Sequence, residues 1–298
     1  MKQQESKSAF IAIVGRPNVG KSSLMNAMLG QKVAIVSDKP QTTRTRIMGV
    51  LTEQETQYVF IDTPGLHKPK TALGERKVKA VGDGMCDVDC CVLVADVTVD
   101  FGTPEQELIK EMQRRKLPAI LALNKIDLLA KKEDLLALIL KFTAVMDFAA
   151  VVPVSAKSLD GLDALKEELS QMAKAGIHLF DDDTLTDQPE RVLAAELVRE
   201  KILRSLDHEI PHGTAVEIER FHEREDGLLE LDCMIYCEKE SHKGIIIGKG
   251  GATLKRIGTL ARRDMEQFFD CQVSLKCWVK VKENWRNREG LIHHFGLD

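Results

Sequence analysis

The chain has 298 residues, which at about 100–200 residues per domain is enough for roughly two domains. Its 42 Lys and Arg against 46 Asp and Glu leave a formal charge of −4, which excludes a histone-like coat and confines any RNA or DNA contact to a local patch. The longest apolar runs, 90–95 and 135–140, fall far short of the ~20 residues of a membrane span; with seven Cys, no CxxC pair and no signal-peptide pattern at the N-terminus, the chain reads as cytoplasmic, its cysteines as small buried hydrophobes.

Through the first ~175 residues short apolar runs alternate with helical stretches. Residues 9–14, 58–61, 89–95, 119–123 and 149–154 read as buried strands, each followed by Gly, Pro, Asp or Asn. Helices are expected over 21–29, 104–115, 133–147 and 162–174. Such alternation predicts a mainly parallel, six-stranded sheet covered on both faces. The pair 46–51 and 58–61 is separated by too few residues for a crossover and should be an antiparallel hairpin.

Residues 176–189, acidic and containing Pro, read as a linker, with Asp187 as the cap of a helix over 190–207. Strands at 214–220 and 228–237, helical segments at 244–247 and 253–269, and a strand at 272–281 complete an α-β-β-α-α-β order. The expected division is a first domain over 1–175, the linker 176–189, a second domain over 190–285 and a tail over 286–298.

The first motif is Gly15-Arg16-Pro17-Asn18-Val19-Gly20-Lys21-Ser22, a GxxxxGK[ST] loop between a predicted strand and a predicted helix. Glycines let the backbone curl so that its N–H groups point at phosphates, and the helix N-terminus, with Ser23 in its first turn, favours the same anion. Lys21 should reach the β- and γ-phosphates, and the Ser22 hydroxyl should bind Mg²⁺. Asp62-Thr63-Pro64-Gly65 follows the strand 58–61. Asp62 can hold the same Mg²⁺ through water, and Gly65 can present its N–H to a γ-phosphate and swing when that phosphate leaves. Lys21, Asp62 and Gly65 are the candidate catalytic positions.

Asn124-Lys125-Ile126-Asp127 follows the strand 119–123. The Asp127 carboxylate can accept from the ring N–H and exocyclic amine of guanine, a donor pair that adenine lacks. Lys125 can lie over the base plane, and Asn124 can tie this loop to the phosphate loop. Ser155-Ala156-Lys157, after the last strand, can offer a backbone N–H to the guanine carbonyl. All four motifs stand at strand C-terminal ends, where open α/β sheets bind ligands.

GRPNVGKS, DTPG, NKID and SAK together resemble the motif set of the translation-factor-related GTPases. The resemblance implies GTP and GDP as ligands and a switch built from Gln41, Thr42 and Thr43 and from Asp62 to Leu66, with Thr43 as a second Mg²⁺ ligand and Thr42 in reserve. Leu66 stands where Ras-like GTPases place a water-orienting Gln, so hydrolysis must rely on Mg²⁺, Lys21 and another positive group. Asn18 stands where potassium-activated relatives carry a K⁺-binding Asn, implying slow turnover stimulated by K⁺.

In the second half, Gly248-Lys249-Gly250-Gly251 is a GxxG loop. Residues 241–263 carry six bases (Lys243, Lys249, Lys255, Arg256, Arg262 and Arg263) and no acid, although 191–298 as a whole has 18 bases and 19 acids. The loop can let a nucleic-acid backbone approach, with Lys243, Lys249, Lys255 and Arg256 on its phosphates. Trp285 is a candidate stacking platform. The tail could touch a membrane surface or pack on the second core, and packing is preferred; His293 and His294 read as solvated.

This half is similar to a KH domain of type II, an α+β fold that takes single-stranded RNA. A P-loop GTPase followed by such a domain resembles the Era-like family of bacterial GTPases. That resemblance implies binding to the 3′ end of 16S rRNA and the small (30S) ribosomal subunit, a role in its assembly and in rRNA maturation, peripheral association with the inner membrane and a mostly monomeric chain. An RNA-modifying enzyme would need a nucleophile or metal cluster beside the GxxG loop, and none is seen in the sequence. A signalling GTPase with a protein-binding second domain would not need GxxG.

Overall fold

The structure is a computed structural model that describes residues 6–37, 39, 42, 47–62, 88–129, 131–207 and 210–295. Gln41, Thr43, Thr63, Pro64, Gly65 and Leu66 lie outside the described residues. The chain divides into two compact units.

In the first unit, β1 (Lys7–Val14) leads through the phosphate loop into α1 (Lys21–Leu29), and β2 (Ile47–Glu53) and β3 (Thr56–Asp62) form a hairpin. Then come β4 (Cys90–Asp96), α2 (Thr103–Arg115), β5 (Ala119–Asn124), α3 (Lys132–Thr143), β6 (Ala150–Pro153) and α4 (Leu162–Met172). The strand order is β2-β3-β1-β4-β5-β6, and every neighbour pair is parallel except β2 with β3. A two-residue strand, β7 (Lys174–Ala175), adds an antiparallel pairing to the start of β1.

Side chains alternate across a strand, and β1 is apolar on both faces. Ile11 and Ile13 pack with Leu24 and Met25 of α1 and Leu165 and Leu169 of α4. Ala12 and Val14 face the other core, with Leu108 and Met112 of α2 and Phe142 of α3. Two dry layers hold the sheet so that the ends of β1, β3, β4, β5 and β6 open along one edge.

The acidic linker is fastened to this unit. Gln57, fully buried on β3, accepts from the N–H groups of Leu179 and Phe180 at 2.8 and 3.0 Å and donates to Phe180 O at 2.9 Å. Thr186 donates to Met48 O at 2.6 Å. Asp187 does not cap the following helix: its carboxylate accepts from Met48 N, and Pro189 stands at the cap position. The exposed backbone of β2, an edge strand, competes for that carboxylate and wins.

The second unit comprises Gln188–Asp298 together with the short segment Ile35–Thr42. Its order is α5 (Glu190–Ser205), β8 (Ala215–Glu223), β9 (Leu229–Cys237), α6 (Glu240–Ile247), α7 (Ala252–Phe269) and β10 (Val273–Val281). β9 pairs antiparallel with β8 and parallel with β10. Ala194, Leu197, Val198, Ile246, Ile257 and Met265 from the three helices pack on one core with Ile235 and Val273 of the sheet.

α8 (Glu289–His294) closes the chain: Trp285 and Ile292 are fully buried with Tyr236. Trp285 is therefore no stacking platform. Its ring is in the core, and its N–H donates to Gly213 O at 2.9 Å, as a buried indole requires. His294 lies 3.3 Å from the Glu217 carboxylate.

Candidate nucleotide and RNA sites

Gly15 has φ +156° and Gly20 φ +97°. A Cβ at Gly15 would stand 2.4 Å from Val94 O, and one at Gly20 2.3 Å from the Asn124 amide. Both glycines are thus required twice, by backbone conformation and by the close approach of β4 and the base loop. Lys21 lies under the loop it follows, its Nζ donating to Gly15 O at 3.1 Å and Arg16 O at 2.9 Å. Burial lowers its pKa to about 8 against the opposing pull of Asp62. Arg16 is held outward by Glu105 of α2 and by Asp100 O.

Asp62, fully buried at the end of β3, accepts from the Ser22 hydroxyl at 2.6 Å. A hydroxyl and a carboxylate meeting below a phosphate loop are the hard oxygen donors that Mg²⁺ selects. The residues present fit that ion.

Asn124, almost wholly buried, ties three segments together. Its amide donates to Val19 O at 2.8 Å, and its carbonyl accepts from Ala156 N at 3.1 Å. Lys125, at φ +69°, donates to Asn18 O at 2.9 Å. The Asp127 carboxylate is exposed but oriented by the Ser155 hydroxyl at 2.7 Å, while Ser155 itself is buried. Lys157 is exposed beside it. An oriented, solvent-facing carboxylate can accept two parallel N–H bonds from a guanine edge.

The sequence reading missed Asp96. It ends β4 and pairs with Lys125 at 2.6 Å, and it accepts from Thr98 N at 2.9 Å and Thr98 Oγ1 at 2.7 Å. Burial works against its charge, but these bonds outweigh it and hold the carboxyl below the usual range. Its signal was the one that located Asp62: a lone acid closing an apolar strand.

In the second unit, Gly248, Gly250 and Gly251 all have positive φ. A Cβ at Gly248 would stand 2.2 Å from Thr253 Oγ1, whereas Gly250 and Gly251 face open space. Lys249, Lys255 and Arg256 are exposed and Lys243 is half-buried. A groove of about 340 Å³ runs from the loop along α7 to β10, lined among others by Gly251, Lys255, Gly258, Arg262, Leu275 and Cys277. Cations on its rim and apolar atoms on its floor suit a phosphate backbone with bases turned inward.

The segment Ile35–Thr42 is held by α5. Glu200 Oε1 accepts from Val36 N at 2.9 Å, and Arg204 donates to Val36 O at 2.8 and 3.0 Å. Arg199 donates to Thr42 O and Lys39 to Leu206 O. Thr42's own hydroxyl is turned back on Lys39 O at 2.7 Å.

Comparison with known proteins agrees with both halves. The model of a 50S ribosome-binding GTPase family matches residues 10–125, and that of the KH domain matches residues 209–286. GTPase Era of Ruminiclostridium cellulolyticum is 48% identical over 290 residues, 97% of this chain and 97% of that protein. The chain belongs to the Era GTPase family. Era of Clostridioides difficile is 49% identical over 98% of this chain and 99% of its own length. Among solved structures, Era in complex with MgGDPNP and nucleotides 1506–1542 of 16S ribosomal RNA superimposes with a TM-score of 0.94, at 36% identity, covering 98% of this chain and 99% of that one. An Aquifex aeolicus Era variant bound to GDP and aluminium fluoride matches equally well. As an Era-family GTPase, the chain combines a P-loop GTPase fold with a KH domain.

Proposed function

We propose that this Era-family GTPase is a Mg²⁺-dependent, K⁺-stimulated switch that binds the 3′ end of 16S rRNA in its KH groove and acts in 30S subunit assembly and rRNA maturation. The observation that carries the reading is one chain holding both an oriented Asp127 carboxylate and a GxxG loop that opens onto a cationic groove. The likeness to Era captured with MgGDPNP and an rRNA fragment supports it.

The phosphate loop would bind the triphosphate through its N–H groups and Lys21. Ser22, Asp62 and Thr43 would hold Mg²⁺, which supplies charge stabilisation at the phosphoryl oxygens. Lys21 would set its cation beside the transferred phosphoryl group, and although burial disfavours the lone charge, the dry surroundings strengthen its attraction to the phosphate once both are present. Gln41, Thr42, Thr43 and residues 62–66 form the switch in this reading, released when water has attacked the γ-phosphate.

Coupling to RNA requires differential affinity for two states. The hold of α5 on Val36 and Thr42, next to Thr43 in the chain, gives a physical connection through which the KH unit can bias the switch.

We place the chain in the cytoplasm. Among the described residues no helix is long and apolar enough to cross a membrane. The peripheral membrane association implied by the family resemblance would use a surface other than Trp285 and the tail's Ile292, which are turned inward. The test is crosslinking in cells with sequencing of bound RNA, with and without a non-hydrolysable GTP analogue. Enrichment of the 16S 3′ end is expected; no enrichment of small-subunit rRNA rejects the assembly role.

A further inference from the structure

Two thiols meet beneath the RNA groove. Cys277 on β10 and Cys233 on β9 are direct partners in the parallel register, 44 residues apart in sequence. Neighbouring strands lie about 4.8 Å apart, within the Cα separation of about 4.4–6.8 Å that a disulfide needs. Both side chains point to the helical face of the sheet.

Their environments differ. Cys233 is fully buried, whereas Cys277 is half-buried and lines the groove beside Lys255 and Arg262. The helix above carries no side chain at Gly258, where a Cβ would stand 3.7 Å from Cys277 Sγ. The neighbouring Cys277 and burial together push the Cys233 thiol well up, while the adjoining Cys233 holds the Cys277 thiol below its usual range. One sulfur is thus the accessible nucleophile and the other its buried, protonated neighbour.

We propose that Cys277 and Cys233 form a peroxide-reactive pair in the floor of the KH groove, closing to a reversible disulfide when the groove is empty and shielded when RNA occupies it. The Cys277 thiolate attacks hydrogen peroxide: an S–O bond forms, the O–O bond breaks, and the leaving hydroxide takes a proton to become water. Cys233 then attacks the sulfenic sulfur: the S–S bond forms, the S–O bond breaks, and the thiol proton leaves with the hydroxyl as a second water. Two thiols lose two electrons and the peroxide gains them. The other described cysteines lack this arrangement: burial pushes Cys90 and Cys91 up to about 12, and Cys237 and Cys271 are also raised by burial.

The shielding rests on the reading that the groove takes RNA. The test treats full-length reduced protein with hydrogen peroxide, with and without a single-stranded oligonucleotide of the 16S 3′ end, and measures the Cys233–Cys277 crosslinked peptide by mass spectrometry. A crosslink that dithiothreitol reverses is expected, forming at least about fivefold more slowly with RNA bound. Gly258→Ala, whose methyl would cover the sulfur, should slow it too. Cys233→Ser should stop the reaction at a Cys277 sulfenic acid that dimedone traps. The inference is overturned if folded protein gives no crosslink, or if it reacts equally fast when anisotropy shows RNA bound. If the reduced protein binds no RNA, the KH reading fails, and the crosslink alone decides the thiol pair.

Discussion

Glu200, fully buried in α5, accepts the main-chain N–H of Val36 at 2.9 Å with the same oxygen that lies 3.2 Å from Arg204; its other oxygen takes Lys201 at 2.7 Å. Lys201 in turn bonds Asp264 of α7. Removing one member of such a cluster strands the others in a dry place. Glu200→Ala is expected to cost about 3 kcal/mol in urea unfolding, and Glu200→Gln less, since its amide keeps an acceptor for Val36 N. Both should also shrink the difference in RNA affinity between GTP- and GDP-loaded protein. A destabilised Glu200→Ala whose nucleotide-dependent difference is intact would remove this residue from the coupling.

In the proposed reading base choice rests on Asp127, whose carboxylate Ser155 orients. Asp127→Asn replaces an acceptor facing the guanine amine with an amide that presents a donor to it. GTP affinity should fall by up to about 10⁴, while xanthosine triphosphate, which carries a carbonyl in place of the amine, should gain. Titration with fluorescent nucleotide analogues reads both. An unaltered preference for GTP would place the base elsewhere.

Lys21 gives a pH signature. Its pKa is lowered to about 8 from an ordinary 10.5, because burial disfavours its charge. Between those values the unfolded chain holds more protons, so this group's destabilising effect is relieved as pH rises. A bound triphosphate restores the charge. Above about pH 8, binding must then take up a proton, and affinity should weaken by up to tenfold per pH unit. Calorimetry in buffers of different ionisation enthalpy measures the uptake. None above pH 8 would mean that Lys21 is already charged without nucleotide.

Monovalent cations test Asn18, exposed on the phosphate loop at φ +65°. K⁺ bound there would add a positive charge where Leu66 cannot orient water. GTP turnover should be faster in K⁺ than in Na⁺ by on the order of tenfold, about 1.4 kcal/mol of barrier, and Asn18→Ala should abolish the difference. Equal steady rates in the two salts would defeat the idea.

The phosphate and base loops were legible in sequence because short-range chemistry dictates them: Gly15 and Gly20 are required by backbone geometry, and Asn124 closes an apolar strand with Asp127 in the turn just after it. The KH half was legible from the coincidence of GxxG with an acid-free run. Asp96 escaped because one acid after a strand looks like a turn. No motif in the sequence marks Arg199, Glu200 and Lys201, whose partners Val36, Thr42 and Asp264 are distant along the chain. Trp285 was misread because basic neighbours suggest RNA while its ring fills the core. The pairing of Cys233 with Cys277 depends on strand register, which no local pattern records.

Gly248 and Gly250 of the GxxG loop should fail in different ways. Gly248→Ala drives a methyl into Thr253, 2.2 Å from its hydroxyl, and imposes positive φ on an L-residue. It should distort the loop and lower the melting temperature. Gly250 has open space around it, so Gly250→Ala meets only the φ +59° penalty of about 1–2 kcal/mol and should fold. Gly250→Asp adds a charge where phosphate would pass, and with Lys249→Asp it should abolish RNA crosslinking while leaving GTP affinity intact. Lys249→Ala alone should weaken binding about equally for all RNA sequences and reduce the salt slope by about 1. Unchanged RNA crosslinking in the double Asp variant, measured beside wild-type GTP binding, would show that this loop does not carry the nucleic acid.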